Sequence, residues 1–159
     1  CLQAMPGSML ILAPHATSYD RFVPGAHAPT GIAWAYENRT TALRIPSGNP
    51  AARRIEHRVA GGDINPYLLI AAILGAALNG IEDGAEPPPA ITGNAYDKDL
   101  AQLPRTWDAA IDAFAKSPEI ARIFPADLIA NFLATKRQEL HYMAELGPEE
   151  RQELYLDTI

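Results

Sequence analysis

The spacing of apolar positions changes along the chain, and each change marks an element. The longest unbroken apolar run, Tyr67 to Leu78, covers twelve residues, short of the ~20 that a membrane span requires, and it reads as a buried helix. Asn65 is a candidate N-cap and Pro66 suits the first helical position, so this helix is expected to reach about Gly80. Further on, Trp107 to Ala115 and Ala126 to Glu145 carry apolar residues at helical spacing, among them Leu128, Phe132, Leu133, Leu140 and Met143, and Pro148 opens a short last helix. Upstream the period is shorter. Gly31 to Pro46 holds β-favouring residues on both sides of Glu37-Asn38-Arg39, as two strands joined by a turn or bulge would, and Arg54 to Val59 alternates as a third. Ser18 to Pro29 reads as a loop able to act as a lid, Ser47-Gly48-Asn49-Pro50 as a turn, and Gly84 to Leu103 as a long surface connection. No internal repeat is present. A few antiparallel strands followed by helices make the expected class α+β.

A length of 159 residues suits one domain, or a piece of one. The chain starts at Cys1 rather than Met and reads as cut from something longer. A single cysteine excludes an internal disulfide framework, and no signal peptide is visible, so a cytoplasmic location is the default expectation. The net charge of -6 conceals a division: residues 1–60 hold six arginines, no lysine and three acids, and the remainder holds seven basic and sixteen acidic residues. Arginine without lysine suggests planar, bidentate recognition of carboxylate or phosphate.

The third strand sharpens that suggestion. Alternation places Arg54, Glu56 and Arg58 on one face and Ile55 and His57 on the other. Arg39 and Arg44 lie on the preceding segments, so antiparallel neighbours are expected to set four or five guanidinium groups around one carboxylate, an arrangement that calls for an anionic ligand. Glu56 reads either as an ion-pair partner or as the ligand of a hard divalent cation bridging phosphate oxygens. No glycine-rich phosphate cradle is present. Nucleic acid is disfavoured as a partner by the acidity of the chain and the lack of lysines and interleaved aromatics near the arginines.

Five ordered motifs carry a family likeness: Ser18-Tyr19-x-Arg21-x-Val23-Pro24-Gly25, Asn38-Arg39, Arg44-Ile45-Pro46, Arg54-Ile55-Glu56-x-Arg58 and Asn65-Pro66-Tyr67-Leu68. Together they resemble the C-terminal part of the glutamine synthetase catalytic domain, with the motif-bearing part at 13–81 and a helical C-terminal part at 82–159. The resemblance implies an ATP-dependent carbon–nitrogen ligase acting through a γ-glutamyl phosphate. It matches Arg21 and Arg58 to arginines that orient glutamate, Arg39, Arg44 and Arg54 to those around ATP phosphates and the transferring phosphoryl group, and Glu56 to a ligand of Mg or Mn. It also implies that the N-terminal β-grasp domain and the other metal ligands lie outside this chain, that the chain alone is inactive, and that the full-length protein forms a homo-oligomer, a dodecamer of stacked rings without a membrane or nucleic-acid partner.

One departure bears on the acceptor. Ammonia-using members carry a glutamate in the pattern Pro-Gly-x-Glu-Ala-Pro, where this chain has Pro24-Gly25-Ala26-His27-Ala28-Pro29. His27 reads as a base in an altered acceptor site or as a loop residue. Trp34-x-x-x-Asn38-Arg39-Thr40 and Glu56-His57-Arg58-Val59-Ala60-Gly61 resemble the branch that glutamylates polyamines and other primary amines. Ammonia-dependent glutamine synthesis and a non-catalytic binding or assembly module stand as alternatives. Of the remaining residues, His15 and His141 read as structural and His57 as packing or solvent-facing. Tyr96, in Asn94-Ala95-Tyr96-Asp97, resembles a tyrosine adenylylated in some bacterial glutamine synthetases, and Cys1 supports no role.

Overall fold

Helix α1 (Met5–Leu12) is the centre of the core, although its sequence shows no polar face and no capping side chain. Met9, Leu10 and Leu12 are fully buried, which is what an all-apolar helix requires. The computed structural model describes residues 1–158. α1 packs on α3 (Trp107–Lys116), whose Trp107, Ala110, Ile111 and Phe114 are buried, and α3 in turn packs on α5 (Ala126–Glu145). α4 (Pro118–Ile123), absent from the sequence reading, starts at Ser117, whose hydroxyl accepts the Ile120 N–H at 3.2 Å. α6 (Pro148–Thr158) closes the order. Among the described residues, no helix is long and apolar enough to cross a membrane.

α2 (Pro66–Glu82) starts as expected, with Asn65 Oδ1 accepting the N–H groups of Tyr67 and Leu68. It is not the buried helix its composition suggests. Only Ala72 and Ala76 are buried, whereas Tyr67, Ile70, Leu74, Leu78 and Ile81 are exposed. An apolar run reports that a helix has something to bury, and not which neighbour lies beside it within this chain.

Three short strands carry the arginines: β1 (Trp34–Tyr36), β2 (Leu43–Ile45) and β3 (Glu56–His57), in the order β1-β2-β3. β2 and β3 pair antiparallel, but β1 and β2 pair parallel, with Trp34 opposite Leu43 and Tyr36 opposite Ile45. The expectation of uniformly antiparallel strands therefore fails at β1. The six residues between the strands extend to at most about 20 Å, enough to return along a strand of three. Asn38 folds the return, its Oδ1 accepting from Thr40 N at 3.0 Å and Thr40 Oγ1 at 2.7 Å. The third strand is also shorter than the alternation from Arg54 to Val59 implies, because only its middle finds a partner in so short a β2.

The connection after α2 is a strap laid over this sheet and stitched to it. Trp34 Nε1 donates to the Pro88 carbonyl at 2.6 Å, Ile91 N to the Trp34 carbonyl at 3.1 Å, Asn38 Nδ2 to the Gly93 carbonyl at 2.7 Å and Ala95 N to Thr40 Oγ1 at 2.8 Å. Leu103 N then donates to the Thr30 carbonyl at 2.9 Å.

Candidate active site

In the β2–β3 register Arg44 stands opposite Glu56, and its Nη1 donates to Glu56 Oε2 at 2.8 Å. Arg58, two residues along on the face shared with Glu56, donates from Nε to Glu56 Oε1 at 3.1 Å. Alternation thus does set these charges side by side. On the other side of Arg44, its Nη2 reaches Glu37 Oε2 at 2.7 Å, and the Ser47 N–H donates to Glu37 Oε1. Glu37 holds the left-handed backbone region at φ 50°, uncommon for a residue with a Cβ, and this aims its carboxylate at Arg44. Those two donors pull the Glu37 carboxyl down to about 2, and Glu37 raises the pKa of Arg44.

The result is a ladder, Glu37–Arg44–Glu56–Arg58, of two carboxylates and two guanidinium groups. It corrects the expectation of four or five arginines around a lone carboxylate. Sequence reasoning missed Glu37 because it sits in a turn seven residues before Arg44, and only the parallel pairing of β1 with β2 carries it across. The arginine side chains are 15% and 14% exposed, so mutual pairing is what makes their position tolerable. Two buried N–H groups, Arg44 Nε and Arg58 Nη1, still lack a protein partner.

The remaining arginines and His27 are not brought into this ladder. Arg21, at the end of a 3₁₀ turn (Ala16–Arg21), donates to the carbonyls of Val59 and Leu12 and lies 4.2 Å from the centre of the Phe22 ring; burial lowers its pKa. Beside it Ser18 Oγ bonds Asp63 Oδ2, and a Cβ on Gly61 would strike Asp63 and come within 3.5 Å of Arg21 Nε, so the glycine is needed for that close approach. Arg39 is exposed, and Arg54 is exposed with its Nη1 on the Ala52 carbonyl at 3.3 Å. His27 lies on the exposed Val23–His27 loop at φ 63°. Arg54 and Arg53 do flank an open groove of about 400 Å³ with Trp34, Tyr36, Ile45 and Ile55. Aromatic and aliphatic walls with guanidinium groups at the edge suit a flat, partly apolar ligand with anionic substituents.

Histidines elsewhere have other surroundings. His15 Nδ1 pairs with Glu139 Oε1 at 3.0 Å, beside Lys136 and the Tyr155 ring. His141 is exposed, 3.7 Å from Glu145. His57 faces away from the ladder, its Nδ1 buried without a partner, and burial pushes its pKa down to about 4. The Tyr96 hydroxyl donates to the Ala28 carbonyl at 2.9 Å, and burial raises its pKa.

A divalent cation needs several oxygen ligands. Both oxygens of Glu56 face guanidinium groups, and no group of three or more His, Cys, Asp or Glu side chains among the described residues is placed to hold a metal. The described residues of this chain do not by themselves make a metal site.

The profile of the glutamine synthetase catalytic domain matches residues 1–154, nearly the whole chain. The chain belongs to the glutamine synthetase family. Among relatives, it is 41% identical to the γ-glutamylethanolamide synthetase of Streptomyces coelicolor over 87% of its own length and 30% of that protein's. It is 37% identical to the γ-glutamylputrescine synthetase of Escherichia coli over 87% of its length and 29% of that protein's, and 36% identical to the glutamine synthetase of Aquifex aeolicus over 91% and 33%. A solved GmaS–ADP complex superposes with a TM-score of 0.78 at 32% identity, covering 96% of this chain and 37% of that one. The glutamine synthetase catalytic-domain fold accounts for the α+β architecture. The chain spans about a third of the length of these relatives.

Proposed function

We propose that this chain is the arginine-bearing part of an ATP-dependent glutamate–amine ligase whose acceptor is a primary amine. The observation that carries the reading is the juxtaposition, on one small sheet, of the Arg44–Glu56–Arg58 ladder with the groove flanked by Arg53 and Arg54. The groove takes ATP, with Arg54 and Arg39 at its phosphates. Arg58 and Arg21 hold the carboxylates of glutamate, and Arg44 faces the transferring phosphoryl group. A γ-carboxylate oxygen of glutamate attacks the terminal phosphorus as the bond to ADP breaks. Fixed guanidinium groups stabilise the charge spread over that phosphoryl group. The amine nitrogen then attacks the acyl carbon, phosphate leaves, and the proton released from nitrogen passes to His27 as base. Glu56 holds Arg44 and Arg58 in place and is one candidate ligand for Mg or Mn, with the other ligands supplied from outside this chain. The same reading places the full-length protein in a homo-oligomer.

The acceptor class rests on His27, which stands where ammonia-using members have glutamate, and on the similarity to ethanolamide and putrescine synthetases. Phosphate release from ATP and glutamate by the full-length protein, compared for ammonia, ethanolamine, putrescine and spermidine, tests it. An organic amine is expected to be preferred; preference for ammonia refutes the acceptor assignment. The rival reading is a non-catalytic binding or assembly module, and silence with every amine selects it.

A further inference from the structure

We infer that Tyr96 is a positioning residue for the amine acceptor: through its hydroxyl the strap holds the His27 loop in register with the turn that carries Arg39. This rests on the ligase reading above. Three observations support it. The Val23–His27 loop is exposed, bonded within itself by Ala26 N to the Val23 carbonyl at 3.1 Å, and passes through the left-handed region at both Gly25 (φ 85°) and His27 (φ 63°). Such a loop has little of its own to select one geometry. At its downstream end the carbonyl of Ala28, itself buried, accepts the Tyr96 hydroxyl at 2.9 Å. One residue before Tyr96, Ala95 N donates to Thr40 Oγ1 at 2.8 Å, and Asn38 Nδ2 reaches the Gly93 carbonyl at 2.7 Å, on either side of Arg39. A single short segment of the strap, Gly93 to Tyr96, therefore touches the flanks of both candidate residues, the base on one loop and the phosphate-facing arginine on another. With its hydroxyl committed to a backbone carbonyl, Tyr96 links the two halves of the reaction: where the acyl phosphate forms and where the amine approaches.

The test is Tyr96→Phe in the full-length protein, which removes one oxygen and keeps the ring. The kcat/KM for the preferred amine is expected to fall about fivefold, the weight of one hydrogen bond, with the KM for ATP within twofold of wild type. Proteolytic cleavage within Val23–Ala28 is expected to accelerate while the melting temperature stays unchanged. A purely structural residue would move all kinetic constants together or none. An unchanged kcat/KM for the amine overturns the inference even if cleavage accelerates. His27→Ala separates the two levels of failure. If it lowers the kcat/KM for the amine and Tyr96→Phe does not, the role of Tyr96 is wrong; if neither does, the assignment of the loop to the acceptor is wrong and the inference falls with it.

Discussion

Replacing Glu56 by Gln removes one charge from the middle of the ladder and leaves Arg44 and Arg58 facing each other across a neutral amide. The size of the effect follows from exposure. Breaking a fully buried ion pair by removing one partner costs about 3–5 kcal/mol, and an exposed pair contributes about 0–1 kcal/mol. Here the arginine side chains are 15% and 14% exposed and Glu56 is 36% exposed. Solvent on the carboxylate side therefore discounts the buried figure, to about 2 kcal/mol. For a domain of this length that is a fall of about 4–8 °C in melting temperature. The assay is urea denaturation of wild type, Glu56→Gln, Arg44→Gln and the double variant, whose cycle isolates the Arg44–Glu56 coupling, expected at about 1 kcal/mol or more. Repeating it in 1 M salt, where the screening length shrinks to about 3 Å, distinguishes a protected ladder from a solvated one. A cost below about 0.5 kcal/mol for Glu56→Gln, or a coupling that disappears in high salt, refutes the claim that these charges are held together by shelter from water.

Two further changes test other parts of the structure. His57 has its pKa lowered from 6.5 to about 4 by burial. The unfolded chain binds a proton that the folded one refuses, so this contribution to stability is present above pH 6.5 and declines as pH falls towards 4; in His57→Phe that slope in the urea midpoint should disappear. A Cβ on Gly7 would lie 2.5 Å from Ser117 Cβ, so Gly7→Ala should displace the α4 cap and cost about 1–3 kcal/mol in urea denaturation, against the ~1 kcal/mol that alanine gains by propensity in an open helix.

What could be read without coordinates was local. Asn65-Pro66 started α2 because a side-chain oxygen and a missing N–H act within three residues. Apolar spacing located α3 and α5 because a helix repeats within four. Alternation brought Glu56 and Arg58 to one face because a strand repeats within two, and the ordered arginine motifs pointed to the right family. Tertiary structure decided everything that needed a partner distant in sequence. Glu37 joined the ladder only through the parallel pairing of β1 with β2, which turned an expected excess of positive charge into a balanced one. The connection after α2 looked like a surface loop because its bonds run from main chain to residues about fifty positions away, such as Trp34, Asn38 and Thr40. The apolar run of α2 measured a tendency to be buried, but burial belongs to two surfaces, and the sequence describes one helix at a time.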